Sequence, residues 1–490
     1  MKPIRFDNTY ARELEGFYAP WPPDTVPAPL LLRLNVSLAE ELGLDVGALD
    51  AGRTARVFSG NEPPAGATPI AQAYAGHQFG GFSPQLGDGR ALVLGEVIDR
   101  HGHRRDIALK GSGRTPFSRG GDGKAAVGPV LREYLIGEAM HALGIPTTRA
   151  LAAVGTGEIV ARERPLPGAV LTRVAASHLR VGTFQFFAAR GEHDKVRRLA
   201  DYAIARHGPH LADGPDLPPP PDRYAALLRT VAERQASLLA DWMLVGFIHG
   251  VMNTDNMSIS GETIDYGPCA FMEGYDPQTV FSSIDTGGRY AYGNQPAIAQ
   301  WNLARFAETL LPLMTKDQAM EVIAAFPSLY EDRWLVSIRA KLGLAIPEAG
   351  DAALAKDWLT LLHTQQVDFT LAWRRLADLA GGQPEPLTAL FEDTGALHVW
   401  LDRYQHRVDA EPGSAVTRAE RMRRSSPIYI PRNHRVEEAL TAASDHSDLG
   451  PFDRLLDVIT HPFEERPDHE DYSAPAPLAV TACYQTFCGT

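Results

Sequence analysis

Cysteine is scarce. Three in 490 residues exclude a disulfide-built scaffold, and the spacing of Cys269, Cys483 and Cys488 matches no zinc motif. Basic residues are in deficit as well, with 47 Lys and Arg against 60 Asp and Glu and a formal net charge of -13. A surface of that sign repels nucleic acid and anionic membrane, so neither is expected as a partner. The run Arg421-Met422-Arg423-Arg424 reads as the solvated face of a helix. Long apolar runs are missing too: the longest, 238–252, is interrupted by Asp241 and His249 and is too short to span a bilayer. The opening Met1-Lys2-Pro3-Ile4-Arg5-Phe6-Asp7-Asn8 lacks the apolar core of a secretory signal. The expectation is a soluble, cytoplasmic, monomeric protein. What is present is ordinary for a globular enzyme, 44% hydrophobic and 22% charged residues, enough for a large core divided among two or three packed regions.

Residues 91–97 and 106–110 read as buried strands between Gly-rich and charged turns. From 129 to 143 apolar residues recur at helical spacing (Val130, Leu131, Tyr134, Leu135, Ala139), and Gly144 and Pro146 end the pattern. Strands are expected again at 149–154 and 169–174. A break at 208–222, holding Pro218-Pro219-Pro220-Pro221, precedes a long helix at 224–245, and helical periodicity dominates 296–459. A polar, Pro-rich stretch at 461–477 leads to a short tail. This order predicts an α+β, protein-kinase-like, two-lobed fold: a small mixed N-terminal lobe (1–175), a large, mainly helical C-terminal lobe (176–460) and a tail (461–490).

The chemistry concentrates after the long helix. His249-Gly250-Val251-Met252-Asn253-Thr254-Asp255-Asn256 follows the kinase pattern H-x-D-x-x-x-x-N except at its base: Val251 stands where the proton-accepting Asp belongs, and the nearest carboxylate is Asp255. Asn256 keeps the metal-ligating position, and Asp265-Tyr266-Gly267 lies where D-F-G would supply the second ligand. Each fragment alone is readable as a turn, the first leading into a short strand at 257–259. Both together, in this order and after a long helix, favour a nucleotide site with a displaced base. Two glycine-rich runs, 76–82 and 87–90, are either phosphate cradles or hairpin turns. Lys110 ends a strand and is followed by a helix carrying Glu133 at the spacing of the kinase Lys–Glu pair. Glu138, five residues on, is turned well away, so Glu133 is the chosen partner.

The blocks G-H-Q-F-G-G-F-S-P-Q-L-G-D-G-R (76–90), L-K-G-S-G-R-T-P-F-S-R-G-G-D-G (109–123), H-G-V-M-N-T-D-N-M-S-I (249–259), D-Y-G-P (265–268) and P-R-N-H (431–434) together closely resemble the selenoprotein O (SelO) family of pseudokinase-fold protein adenylyltransferases, across effectively the whole chain. The resemblance implies a kinase-like fold that holds ATP in a flipped orientation and moves AMP onto Ser, Thr or Tyr hydroxyls of proteins. It places Gly87, Gly89, Arg90, Lys110, Asp122, Gly123, Arg173, Arg180 and Asp265 around the nucleotide, Asp255 as base, and Asn256 and Asp265 on magnesium, with manganese as the alternative. Arg119 is a further cation for the phosphates. Selenoprotein members carry selenocysteine where this chain has Cys488, which implies a redox switch in which Cys488, or Cys483 in its place, pairs reversibly with Cys269. Transfer of the γ-phosphoryl group by an atypical kinase, or nucleotide binding without catalysis, are the competing functions.

Overall fold

The computed structural model describes residues 4–45, 50–211, 222–481 and 484–487. Cys483, Cys488 and the four-proline run 218–221 lie outside them. Twelve strands fall in chain order as β1 (Tyr18–Pro20), β2 (Leu30–Leu34), β3 (Ile70–Gln72), β4 (Gly76–Gln78), β5 (Gly81–Ser83), β6 (Ala91–Ile98), β7 (Arg104–Lys110), β8 (Ala125–Ala126), β9 (Arg149–Ala161), β10 (Pro165–Ala175), β11 (Phe247–Ile248) and β12 (Ala270–Phe271). Eight of them form one sheet in the order β1-β3-β6-β7-β10-β9-β2, with β8 attached to β10. β4 and β5 make a separate hairpin, and β11 pairs with β12.

Both faces of the sheet are covered, and strand periodicity assigns side chains to them. On β7, Ile107 and Leu109 join Leu94, Leu151, Val170 and Val174 in one apolar cluster. Ala108, between them, joins Val93, Ala169 and Leu171 in another, together with Leu131 and Leu135 of the helix Val127–Ala142. Successive side chains of a strand point to opposite faces. Lys110 therefore shares the face of Ala108, and Arg173 that of Ala169 and Leu171, which is the face covered by the helix. The helix stops where the glycine signal predicts: Gly144 adopts φ +80°, a conformation glycine takes without steric cost.

Beyond residue 180 the chain is mainly helical. The helices Asp222–Val245 and Gln295–Leu310 contribute Leu228, Val231, Leu303 and Phe306 to the cluster that also covers the sheet. A second cluster, around Trp358, Trp373 and Trp400, lies wholly within the helical part. The architecture is thus mixed α/β, with a sheet built from the first 175 residues or so and a helical remainder sharing its core. The P-R-N-H block ties this part together: Arg432, 1% exposed, grips Asp368 at 2.6 and 3.0 Å and the carbonyl of Ser473. Asn433 brackets Phe271 through both its backbone groups.

One expected element does not form. Residues 257–259 make a single bridge, Ser258 to Arg180, with Val181 N donating to Met257 O at 3.0 Å and Ile259 N to Leu179 O at 2.9 Å. Their partner turns at once into the helix Val181–Ala188, and Gly261 at φ +82° turns the other chain away, so no ladder can extend.

Because Leu131 is fully enclosed between sheet and helices, Leu131→Ala is expected to destabilise the protein by about 2–5 kcal/mol, measured as a lower midpoint in urea unfolding.

Candidate functional site

The face assignment brings Lys110 and Arg173 onto the helix side, where they meet Glu133 and, from the helical part, Asp265. Lys110 Nζ lies 2.5 Å from Glu133 Oε2 and 2.7 Å from Asp265 Oδ1. Arg173 Nη1 lies 3.1 Å from Glu133 Oε1 and 2.7 Å from Asp265 Oδ1. Arg180 Nη1 donates to Asp265 Oδ2 at 2.9 Å and to the carbonyl of Asp255 at 2.9 Å. Burial would raise the Asp265 carboxyl, but Lys110, Arg173 and Arg180 outweigh it and hold the group well below the usual carboxylate range. Glu138 instead grips Arg149 at 2.8 and 2.7 Å and takes no part.

The cations are themselves braced. Arg180 sits 4.7 Å from the ring centre of Tyr74. Arg173 Nε donates to His178 Nε2 at 3.3 Å, His178 Nδ1 meets Asp106 at 3.0 Å, and Arg206 closes the chain on Asp106 at 2.5 Å. Burial lowers His178 to about 4, so the ring is neutral. It accepts from Arg173 on one nitrogen and donates to Asp106 from the other.

His249 has no proton-transfer role. Its ring is buried, Nε2 meets the carbonyl of Ile264 at 3.0 Å and Nδ1 accepts from Val251 N at 3.4 Å. It therefore splints the catalytic loop to the residue preceding Asp265, which itself adopts φ +67°. Asn256 Nδ2 donates to the Val251 carbonyl at 3.0 Å, which fixes the amide plane. Asp255, 7% exposed, is the least satisfied group of the site: Oδ2 accepts from Gln78 Nε2 at 3.3 Å, and Oδ1 is buried with no partner. Burial, opposed by Arg180, raises its carboxyl to about 6.

The first glycine run forms the hairpin β4–β5, not a cradle. Phe79 and Gly80, at φ +50° and +86°, make its two-residue turn, and its backbone docks on the catalytic loop. His77 N donates to Thr254 Oγ1 at 2.7 Å, and Phe79 N to Asn253 Oδ1 at 3.2 Å and Tyr290 OH at 3.1 Å. A Cβ on Gly76 would stand 2.3 Å from Asp255 Oδ1, so only glycine leaves that oxygen its place. The second run, Gly87 and Gly89, admits Phe117 of the following loop, which a Cβ at either position would strike. In that loop Asp122 pairs with Arg162 at 2.7 Å, away from the Lys110 cluster, Gly123 packs on the Gly113 carbonyl, and Arg119 is exposed.

A cavity of about 1460 Å³ joins these groups, lined by Gly87, Gly89, Arg90, Lys110, Arg119, Asp122, Gly123, Glu133, Arg173, Arg180, Asp255, Asn256 and Asp265. All the nucleotide, base and metal positions expected from the sequence border one space. Its volume exceeds the roughly 300–1,000 Å³ typical of small-molecule sites, leaving room for a second reactant. Sequence reasoning missed three neighbours: Gln78, which touches the Asp255 carboxylate; Tyr74 beneath Arg180; and Asp88, buried and raised to about 6 by that burial. The contacts of Gln78 and Tyr74 cross long stretches of chain and follow no local spacing. Cys269 is fully buried beside Arg132, and burial pushes its thiol up to about 11. The described tail lies close by: Thr486 Oγ1 donates to the Pro268 carbonyl at 2.7 Å, and Tyr484 OH meets Glu437 at 2.9 Å.

Among the described residues no cluster of three or more His, Cys, Asp or Glu is arranged for a metal. Asn256 and Asp265, which line the cavity, carry hard oxygen donors, and Oδ2 of Asp265 accepts one bond only. One or two protein oxygens completed by water and phosphate suit magnesium, so these residues fit such an ion.

Cations gathered at the end of a strand, oxygen donors on an adjoining loop and a buried carboxylate bordering a roomy cavity suit a nucleotide-dependent transferase. The profile of the family described as "Protein adenylyltransferase SelO" matches residues 2–460. The chain is 63% identical over 494 residues to the "Protein nucleotidyltransferase YdiU" of Cereibacter sphaeroides strain KD131, covering 99% of this chain and 100% of that protein. Similar proteins of the same name occur in Chromobacterium violaceum (63% identity, 96% of this chain and 99% of that one) and Rhizobium meliloti (56%, all of both chains). The chain belongs to the SelO family and is a protein nucleotidyltransferase. Among the described residues no helix is long and apolar enough to cross a membrane.

Gly76→Ala should displace Asp255 without touching the cation cluster. Transfer in single turnover is expected to fall on the order of 100-fold, with ATP affinity by titration calorimetry unchanged.

Proposed function

We propose that this enzyme is a kinase-like, two-lobed protein that binds ATP with its triphosphate reversed and transfers AMP to a Ser, Thr or Tyr hydroxyl of a protein. The observation that carries this reading is the buried carboxyl of Asp255, raised to about 6, on a residue that lines a cavity shared with three clustered cations. The acceptor oxygen attacks the α-phosphorus and its proton passes to the Asp255 carboxylate. The bond from the α-phosphorus to the bridging oxygen breaks, and pyrophosphate departs towards Lys110, Arg173 and Arg180. Among the described residues the ion pairs of those cations are with Glu133 and Asp265, Asp88 and Asp255 also lie close to Arg180, and Arg90 adds a positive group that makes no ion pair among the described residues. Four cations on one cavity suit a leaving group of high negative charge. Magnesium held by Asn256 and Asp265 would supply further charge neutralisation at the phosphates. A base for the ordinary γ-transfer would be needed at Val251, which is apolar.

Incubation with α-labelled and γ-labelled ATP in parallel tests the reading: protein should take up the α-label alone, and γ-label in protein would establish a kinase instead. Asp255→Ala is expected to lower AMP transfer by about 10²–10⁴-fold while ATP affinity persists. Unimpaired transfer in that variant would remove Asp255 as base.

Redox control is the remaining part of the proposal. Cys269 is enclosed in the described conformation, so pairing with Cys488 or Cys483 requires the segment after Pro268 to open. Non-reducing peptide mapping of oxidised protein should then recover Cys269 joined to a tail cysteine, and recovery only as free thiol would eliminate the switch.

A further inference from the structure

Part of the cavity rim is apolar. Among the described residues four Phe or Trp side chains are largely exposed: Trp21 at 39%, Phe79 at 38%, Phe82 at 42% and Phe487 at 66%. Two of the four, Phe79 and Phe487, line the cavity, whereas Phe82 packs on His77, on the hairpin face opposite Gln78. Ile284, 52% exposed, lines it as well. Grouped apolar exposure of this kind marks an interaction site, whereas the same residues scattered singly would need no explanation.

These residues sit on one hydrogen-bonded arc. The Phe79 ring is 5.1 Å from that of Tyr290, whose backbone N donates to Asp285, next to Ile284, at 2.7 Å. Ser283 N donates to Thr486 O at 3.0 Å, which places Phe487 beside the same segment. Phe79 is also held at φ +50°, a region bulky side chains avoid and occupy mainly where surrounding contacts enforce it. The contacts that enforce it here are those to Asn253 and Tyr290. An exposed aromatic ring is thereby fixed to the loop that carries Asp255.

We propose that this rim receives an apolar side chain of the acceptor protein, in an extended segment within three residues of the hydroxyl that takes the nucleotide. The inference rests on the reading that the hydroxyl meets Asp255. Gln78 touches that carboxylate and Phe79 is the next residue, so the rim is within reach of two or three extended residues at roughly 3.3–3.6 Å each. A protein nucleotidyltransferase must admit a protein segment to this mouth, and the cavity is larger than a small-molecule site requires.

The test uses α-labelled ATP and short peptides bearing one central Tyr or Ser in an alanine background, with Leu or Glu scanned through the flanking positions. Leu within three residues of the hydroxyl is expected to raise kcat/KM about tenfold over Ala, and Glu to give no gain. Phe79→Ala should abolish the preference with KM for ATP unchanged, and Phe79→Leu should retain it. Equal labelling across the series overturns the proposal, as does labelling of no peptide while intact proteins are labelled. A raised KM for ATP in Phe79→Ala also overturns it, assigning the ring to the nucleotide. Asp255→Ala runs beside these: persistent labelling in that variant identifies failure of the base assignment, separately from failure of the rim.

Discussion

The site is organised around one carboxylate shared by three cations. Asp265 accepts from Lys110, Arg173 and Arg180 at 2.7, 2.7 and 2.9 Å, and these residues come from β7, β10 and the entry to the helix Val181–Ala188. The sheet and the helical part therefore meet at a point of opposite charge as well as through a common apolar core. Charges so far removed from water tolerate no loss of a partner, and breaking such a pair typically costs on the order of 3–5 kcal/mol. In the proposed reaction the same attraction would keep the cations in place for an incoming triphosphate, since a phosphate oxygen would compete for the same N–H groups that Asp265 engages.

Around that centre the loops are fixed by neutral hydrogen bonds. His249 joins Val251 to Ile264, Asn256 fastens its own loop, and the β4–β5 hairpin covers residues 253–255. Asp255 is the exception to this saturation. One oxygen is held by Gln78 and the other is left bare, an arrangement that costs stability unless a proton donor completes it.

Much of this was legible in the chain. Strands β6 and β7 and the helix Val127–Ala142 announce themselves because they are almost wholly buried and bounded by glycine. Helical angle lets only one of Glu133 and Glu138 face Lys110, and the kinase-like spacing selects Glu133. The edge strands β1 and β2, and β3 beside β1, were not legible: they have only three, five and three residues, too short for an alternating pattern to stand out. Residues 257–259 carry strand-forming side chains, yet tertiary geometry gives them a partner for one bridge only. The role of the 76–82 run was ambiguous for the same reason, because glycine signals a backbone shape and not what approaches it. Cradle and hairpin differ only in a partner that lies elsewhere in the chain.

That distance has a kinetic consequence. Gln78 and Asp255 are 177 residues apart, and Lys110 and Asp265 are 155 apart. Contacts this remote repay their loop-closure entropy late in folding. A partly collapsed chain, even one with its sheet in place, holds neither the three-cation cluster nor the Gln78–Asp255 contact. Nucleotide chemistry is thereby withheld from folding intermediates, and activity regained during refolding would report the last long-range docking event and not the formation of secondary structure.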